Sequence, residues 1–174
     1  MHNAYVFMEL VLSLCYNISK ITHMEAHMYQ EMLTRHRRAL HMIPELKFDL
    51  PKTQAYILDE LKKLNCEITT AAQSGVLAYF HNDKPATVAF RTDMDALPVT
   101  EQASHSYKST HTGCMHACGH DGHMAIMLTF AHWVNENLSR LNRNVLLIFQ
   151  PAEESGGGGE YIVNTGILTE KHVD

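Results

Sequence analysis

The chain has little of what marks several large protein classes. Its 174 residues hold four cysteines, Cys15, Cys66, Cys114 and Cys118, without the dense spacing of a secreted disulfide framework. A reduced, cytoplasmic compartment is therefore expected. Charged residues make up only 19%, with 14 Lys and Arg against 19 Asp and Glu. No basic stripe runs along the chain, which removes the electrostatic case for a nucleic-acid partner. No apolar run reaches the roughly 18 residues of a membrane span, so no membrane partner is expected. The apolar stretch from Ala4 to Tyr16 is broken by Glu9 and lacks the basic start and small-residue cleavage site of an export signal. Residues 1–22 are read as an atypical N-terminal extension, and residues 23–174 as the globular part.

What is present is an ordinary globular composition, 45% hydrophobic, long enough for one domain with a sizeable core. Tyr29, Met32, Leu33, His36, Leu40 and Ile43 recur at helical spacing and stop before Pro44. Pro51 opens a second helix that Asn65 is expected to stop. Cys66 to Ala72 and Val76 to Phe80 read as strands joined at Ser74-Gly75, and Thr87 to Arg91 as a third. Thr100 to His116 is polar and should be an extended loop. Asp121 to Leu138 is an amphipathic helix with Asp121 as its expected N-cap. Val145 to Phe149 is continuously apolar, as in a strand buried on both faces. Ser155 to Gly159 is a turn, followed by a short helix ending at Gly166. Helices alternating with strands predict an α/β fold, a three-layer, mainly parallel sheet flanked by helices. Ligands in such folds sit beyond the carboxyl ends of the strands.

Histidine is the outlier. Five of the 13 (His105, His111, His116, His120, His123) lie within 19 residues. Among them, Cys118-Gly119-His120 sets a thiol and an imidazole two residues apart, and Gly119 and Gly122 permit a tight backbone there. Glu153 and Glu154 follow the apolar strand and Pro151. Adjacent carboxylates repel, and a cation on one relieves the repulsion while the other stays free as a base. A borderline-soft divalent ion accepts sulfur, nitrogen and oxygen together. Asp93 and Asp95 close the third strand in a supporting role. Two other readings stay open. Cys118 can be a nucleophile with His120 as its base, which leaves Glu153 and Glu154 without a task. Alternatively, Cys114, Cys118 and two histidines can form a non-catalytic zinc module, though its second ligand pair is absent.

Five ordered landmarks carry a resemblance: Arg37-Arg38 with His41 and Pro44-Glu45-Leu46; Gly75-Val76; Arg91-Thr92-Asp93-Met94-Asp95-Ala96-Leu97-Pro98; Met115 to His123; and Phe149 to Glu154. Together they resemble the N-terminal half of the M20 metallopeptidase and amidohydrolase family. The similar branch holds hippurate hydrolase, N-acyl-amino-acid and N-acetyldiaminopimelate deacetylases, and auxin-conjugate hydrolases. The resemblance implies an incomplete catalytic domain of a zinc-exopeptidase-like fold. It implies Cys118, His120 and Glu154 as metal ligands, Glu153 as general base, and Asp95 as the aspartate that steadies the site. It further implies divalent metal, two ions of Zn, Mn, Co or Ni in the complete enzyme. The implied reaction is hydrolysis of the amide of a small-molecule N-acyl amino acid. The family's lid domain, through which a homodimer would form, and its C-terminal segment would lie beyond Asp174, so a truncated, poorly active form is expected.

Overall fold

Strand β4 (Asn144–Gln150) is buried along all seven residues, and this fixes the centre of the fold. The computed structural model describes residues 23–174, and the extension expected at residues 1–22 lies outside the described residues. Contacts divide the chain into a unit ending at Met32 and a second, Leu33–Asp174, which holds the sheet. Helix α1 is His23–His41, α2 Pro51–Leu61, β1 Glu67–Ala71, β2 Gly75–Phe80 and β3 Thr87–Asp93. Helix α3 is His120–Asn137, continued by a 3-10 turn at Leu138–Arg140; α4 is Gly158–Val163 and α5 Ile167–Glu170.

Period-two alternation divides β4 between two cores. Val145, Leu147 and Phe149 join Val76, Ala78 and Phe80 of β2 against Leu40, Ile57 and Leu61 and against Met124, Leu128 and Ala131 of α3. Leu146 and Ile148 face the other way, with Leu77 of β2 and with Ile162 and Ile167 of the short helices. The result is the expected three layers, helices over sheet over helices. Full burial of a side chain such as Phe149 or Leu147 contributes about 1.5–3 kcal/mol.

The expected mainly parallel sheet is corrected. The order is β1-β2-β4-β3, and two of the three joints, β1–β2 and β2–β4, are antiparallel. Only β3–β4 is parallel, pairing Thr87–Asp93 with Asn144–Gln150. Connection length explains two of the three joints, β1–β2 and β3–β4. Ala72 and Gln73 turn the chain between β1 and β2 with φ of 49° and 66°, and so short a link allows only an antiparallel hairpin. The β3-to-β4 link carries the loop to His116 and all of α3, the long crossover that a parallel pair requires.

One helix start differs from the expectation, and another is capped from a distance. Asp121 lies inside the first turn of α3; the N-cap is Gly119, left-handed at φ 104°, with no side-chain cap. Asp121 Oδ1 instead accepts from the Gly122 amide. Pro51 does begin α2, but the amides of Lys52 and Thr53 donate to the carboxylate of Glu45, upstream of the helix. A cap supplied across a turn leaves no trace in local spacing.

Candidate metal centre

The parallel pair β3–β4 ends with Asp93 opposite Gln150, and the site is built just past these ends. After β3 the chain passes Asp95, whose side chain is 1% exposed. Its carboxylate takes the Glu153 amide on Oδ1 at 2.9 Å and the Glu154 amide on Oδ2 at 3.1 Å. Asp95 therefore holds the two-glutamate turn onto the end of β3. Its own carbonyl accepts the Nδ1 proton of His120 at 2.7 Å. In a neutral ring that bond leaves His120 Nε2 as the acceptor nitrogen.

His120 Nε2 lies 3.7 Å from Glu154 Oε1 and 3.7 Å from Asp93 Oδ2. The sulfur of Cys118, a ring nitrogen of His120 and a carboxylate oxygen of Glu154 all lie within 4.8 Å of one another. The sequence reading named these three and Glu153 and Asp95, and the structure brings all five to one place. Glu153 is exposed, with its amide tied to Asp95.

The electrostatics are one-sided. The Cys118 thiol is pushed up, first by its contact with Glu154, then by burial and by the charges of Glu154, Asp93 and Glu153. A nucleophilic cysteine needs the reverse, an electropositive surrounding that favours thiolate. Arg91, 3.1 Å from Asp93 Oδ2, is the cation paired with this carboxylate group. A surplus of negative charge beside a thiol and an imidazole nitrogen suits a divalent cation. Cys114 belongs to none of the potential metal-holding groups among the described residues, which removes support for the Cys114–Cys118 zinc module.

Several residues in and around the site were given no definite role by the sequence reading. His123 donates from Nδ1 to Asp93 Oδ1 at 2.8 Å and stacks on His120, with ring centroids 5.7 Å apart. Asp93 thus faces the site beside Glu154, more closely than a supporting role suggested. His116 is 4% exposed with neither ring nitrogen partnered, and burial drives its pKa down to about 4, partly countered by Asp121. Behind α3, His41 lies between Asp121 and Glu101, both buried. The sequence signal for these was the density of histidines alone, which does not say which face of the loop each one takes.

Comparisons with known proteins show what the chain is similar to. Residues 89–174 match the model of peptidase family M20/M25/M40. An uncharacterised hydrolase of Staphylococcus aureus is 41% identical over 146 residues, 83% of this chain and 38% of that protein. The solved structure of an aminohydrolase from methicillin-resistant Staphylococcus aureus is similar with a TM-score of 0.77 at 37% identity, covering 83% of this chain and 39% of that one. A Bacillus subtilis dinuclear metal-binding peptidase of the M20 family superposes with a TM-score of 0.79 at 34% identity, covering 85% and 42%. The chain spans about two-fifths of the length of these relatives.

Proposed function

We propose, since the chain belongs to the peptidase family M20/M25/M40 through residues 89–174, that it carries part of the active site of a metal-dependent hydrolase cleaving the amide bond of N-acyl amino acids. The observation that carries this reading is the convergence of Cys118, His120 and Glu154 within 4.8 Å, with the unligated Glu153 next in sequence. In this assignment the three hold one divalent ion. Zn, Mn, Co and Ni all accept such a donor set. The bound ion would supply Lewis-acid polarisation and an acidified water. Glu153 removes a proton from the attacking water and returns it to the leaving nitrogen. Asp95 aims both glutamates by holding their amides, and fixes His120 through its carbonyl. Residues 23–174 are then the N-terminal part of a catalytic domain. The relatives' greater length is where we place a lid, further ligands for a second ion, and the surface of a homodimer.

The assignment is tested by two single variants measured for bound metal and for turnover of N-acetyl and N-benzoyl amino acids in the complete enzyme. Glu153→Gln should retain metal while turnover falls by at least about 100-fold, the loss expected of a general base. Glu154→Gln should lose metal as well. Equal metal loss in both would remove the distinction on which the roles rest.

A further inference from the structure

The strongest unassigned feature is a buried polar network directly behind the first turn of α3. His41, the last residue of α1, is 1% exposed. Its Nδ1 lies 2.6 Å from Asp121 Oδ2 and its Nε2 lies 3.2 Å from Glu101 Oε1, both at hydrogen-bonding distance. Ionised carboxylates only accept, so an imidazole bonded to one at each nitrogen has to carry both protons. The local charges agree. Asp121 and Glu101 bring two negative charges, and Arg37, with Nε 3.0 Å from Asp121 Oδ2, brings one positive. One further cation balances the group, and the C-terminus of α1 is a favourable place for it.

Among the described residues His41 is the one ring that touches both acids, and other titratable groups surround it. From the 101–116 loop, His105 Nε2 lies 2.9 Å from the same Glu101 oxygen, and Tyr107 meets His41 edge-on at 6.0 Å between ring centroids. His116, neutral and unpartnered, stands near from the same loop. Burial alone would raise the Glu101 pKa, but the Ser109 amide and the His41 imidazole bring it below the usual carboxylate range. Three segments therefore meet at one doubly bonded ring: the end of α1, the loop, and the start of α3.

We propose that His41 is a positioning residue, held as an imidazolium between Glu101 and Asp121, which locks the first turn of α3 and so directs His120 Nε2 toward Glu154 and Cys118. The inference rests on the assignment of His120 as a metal ligand. Asp121 is the next residue after His120, and it is anchored from three sides by His41, Arg37 and the Gly122 amide. A first turn so held cannot rotate, and the Nδ1 bond of His120 to the Asp95 carbonyl keeps its geometry. Loss of the clamp frees that rotation and misaims one donor of the ion.

Two measurements on the full 174-residue chain test this. Nitrogen-15 NMR of the unaltered protein at neutral pH should show both ring nitrogens of His41 protonated; a bare ring nitrogen overturns the proposal. Cobalt(II) binding, followed by the thiolate-to-cobalt absorption, should weaken about 10–100-fold in His41→Gln, the range found when a group behind a metal ligand is lost. Glu101→Gln added to His41→Gln restores local neutrality, and the double variant should bind cobalt more tightly than His41→Gln alone. A double variant as weak as the single, or weaker, would mean that His41 serves only as packing. If His41→Gln does not fold, Glu101→Gln is read in its place, with the same loss expected and unchanged binding overturning the proposal. Absence of cobalt binding by the unaltered chain would overturn the metal assignment and this inference together. Unchanged binding in a folded His41→Gln would overturn this inference alone.

Discussion

Two clusters of histidine and carboxylate flank the start of α3, similar in composition and opposite in character. Cys118, His120 and Glu154 stand at the ends of β3 and β4 with Cys118 and Glu154 exposed, and the carboxylates around them push the thiol up. His41, Glu101 and Asp121 are closed off, each side chain no more than 2% exposed, and Arg37, with the imidazolium we propose at His41, neutralises the two acids. Both clusters contain three groups at ligand spacing, since His41, Glu101 and His105 also qualify. Spacing therefore does not separate a metal centre from a structural network. Charge balance does: the open cluster is short of a cation and the closed one already has its own. A third group, His36, Glu60 and His132, agrees with the closed one, because Arg35 and Lys63 both pair with Glu60.

The largest effect should come from removing a donor at the open cluster. Cys118→Ala or Glu154→Gln is expected to weaken divalent-ion binding by roughly 100-fold or more, beyond the range for groups behind the ligands. The paired replacement His105→Gln at the closed cluster should leave ion binding within a few-fold. Isothermal titration with Zn²⁺ or Co²⁺ reads both, and comparable losses would dissolve the contrast.

Next in size is Asp95→Asn. One carboxylate holds two glutamate amides there, and an amide side chain can accept at only one of its two ends. Ion affinity should fall about 10–100-fold with secondary structure intact by circular dichroism. If Asp95→Asn binds as tightly as the parent, the turn holds itself.

How far this contrast could be read from sequence depends on how local each determinant is. Cys118, His120, Glu153, Glu154 and Asp95 were legible because they sit in short runs beside a strand end or a helix start, where the backbone alone decides their direction. The hairpin was legible through its turn at Ser74-Gly75, the buried β4 strand through its unbroken apolar run, and the α3 helix through periodicity. The antiparallel β2–β4 joint was not, because β3 and α3 lie between the two strands and pairing at that distance leaves no local pattern. Neither was the His41–Asp121 contact, 80 residues apart in the chain, nor the capping of α2 by Glu45. The histidine count pointed to the region but could not assign His105 and His116 to the closed side and His123 to the open one.

A smaller effect concerns thiol reactivity. Alkylation of Cys118 should be slow with bound Zn²⁺ and faster after chelation, because a coordinated sulfur has its lone pairs engaged. Cys114, in none of the candidate groups, should change little. Peptide mass mapping separates the two, and equal protection would favour a site containing both.

The smallest is a pH dependence at the third group. Burial and then Arg35 lower the His36 pKa from 6.5 to about 4. The unfolded chain takes up a proton near pH 6.5 that the folded chain refuses until about pH 4, so this group lowers stability as pH falls between those values and leaves it unchanged above them. In His36→Asn the decline of the urea midpoint over that window should be shallower, by up to about one proton in slope. An identical slope in both proteins would move the titrating group elsewhere.

The most direct measurement is a cobalt(II) titration of the chain beside its Cys118→Ser and Glu153→Gln variants, read by near-ultraviolet absorption. The assignment predicts a thiolate-to-cobalt band in the unaltered chain, its retention in Glu153→Gln and its loss in Cys118→Ser. A band that survives in Cys118→Ser, or none in the unaltered chain, would contradict the metal centre placed at Cys118, His120 and Glu154.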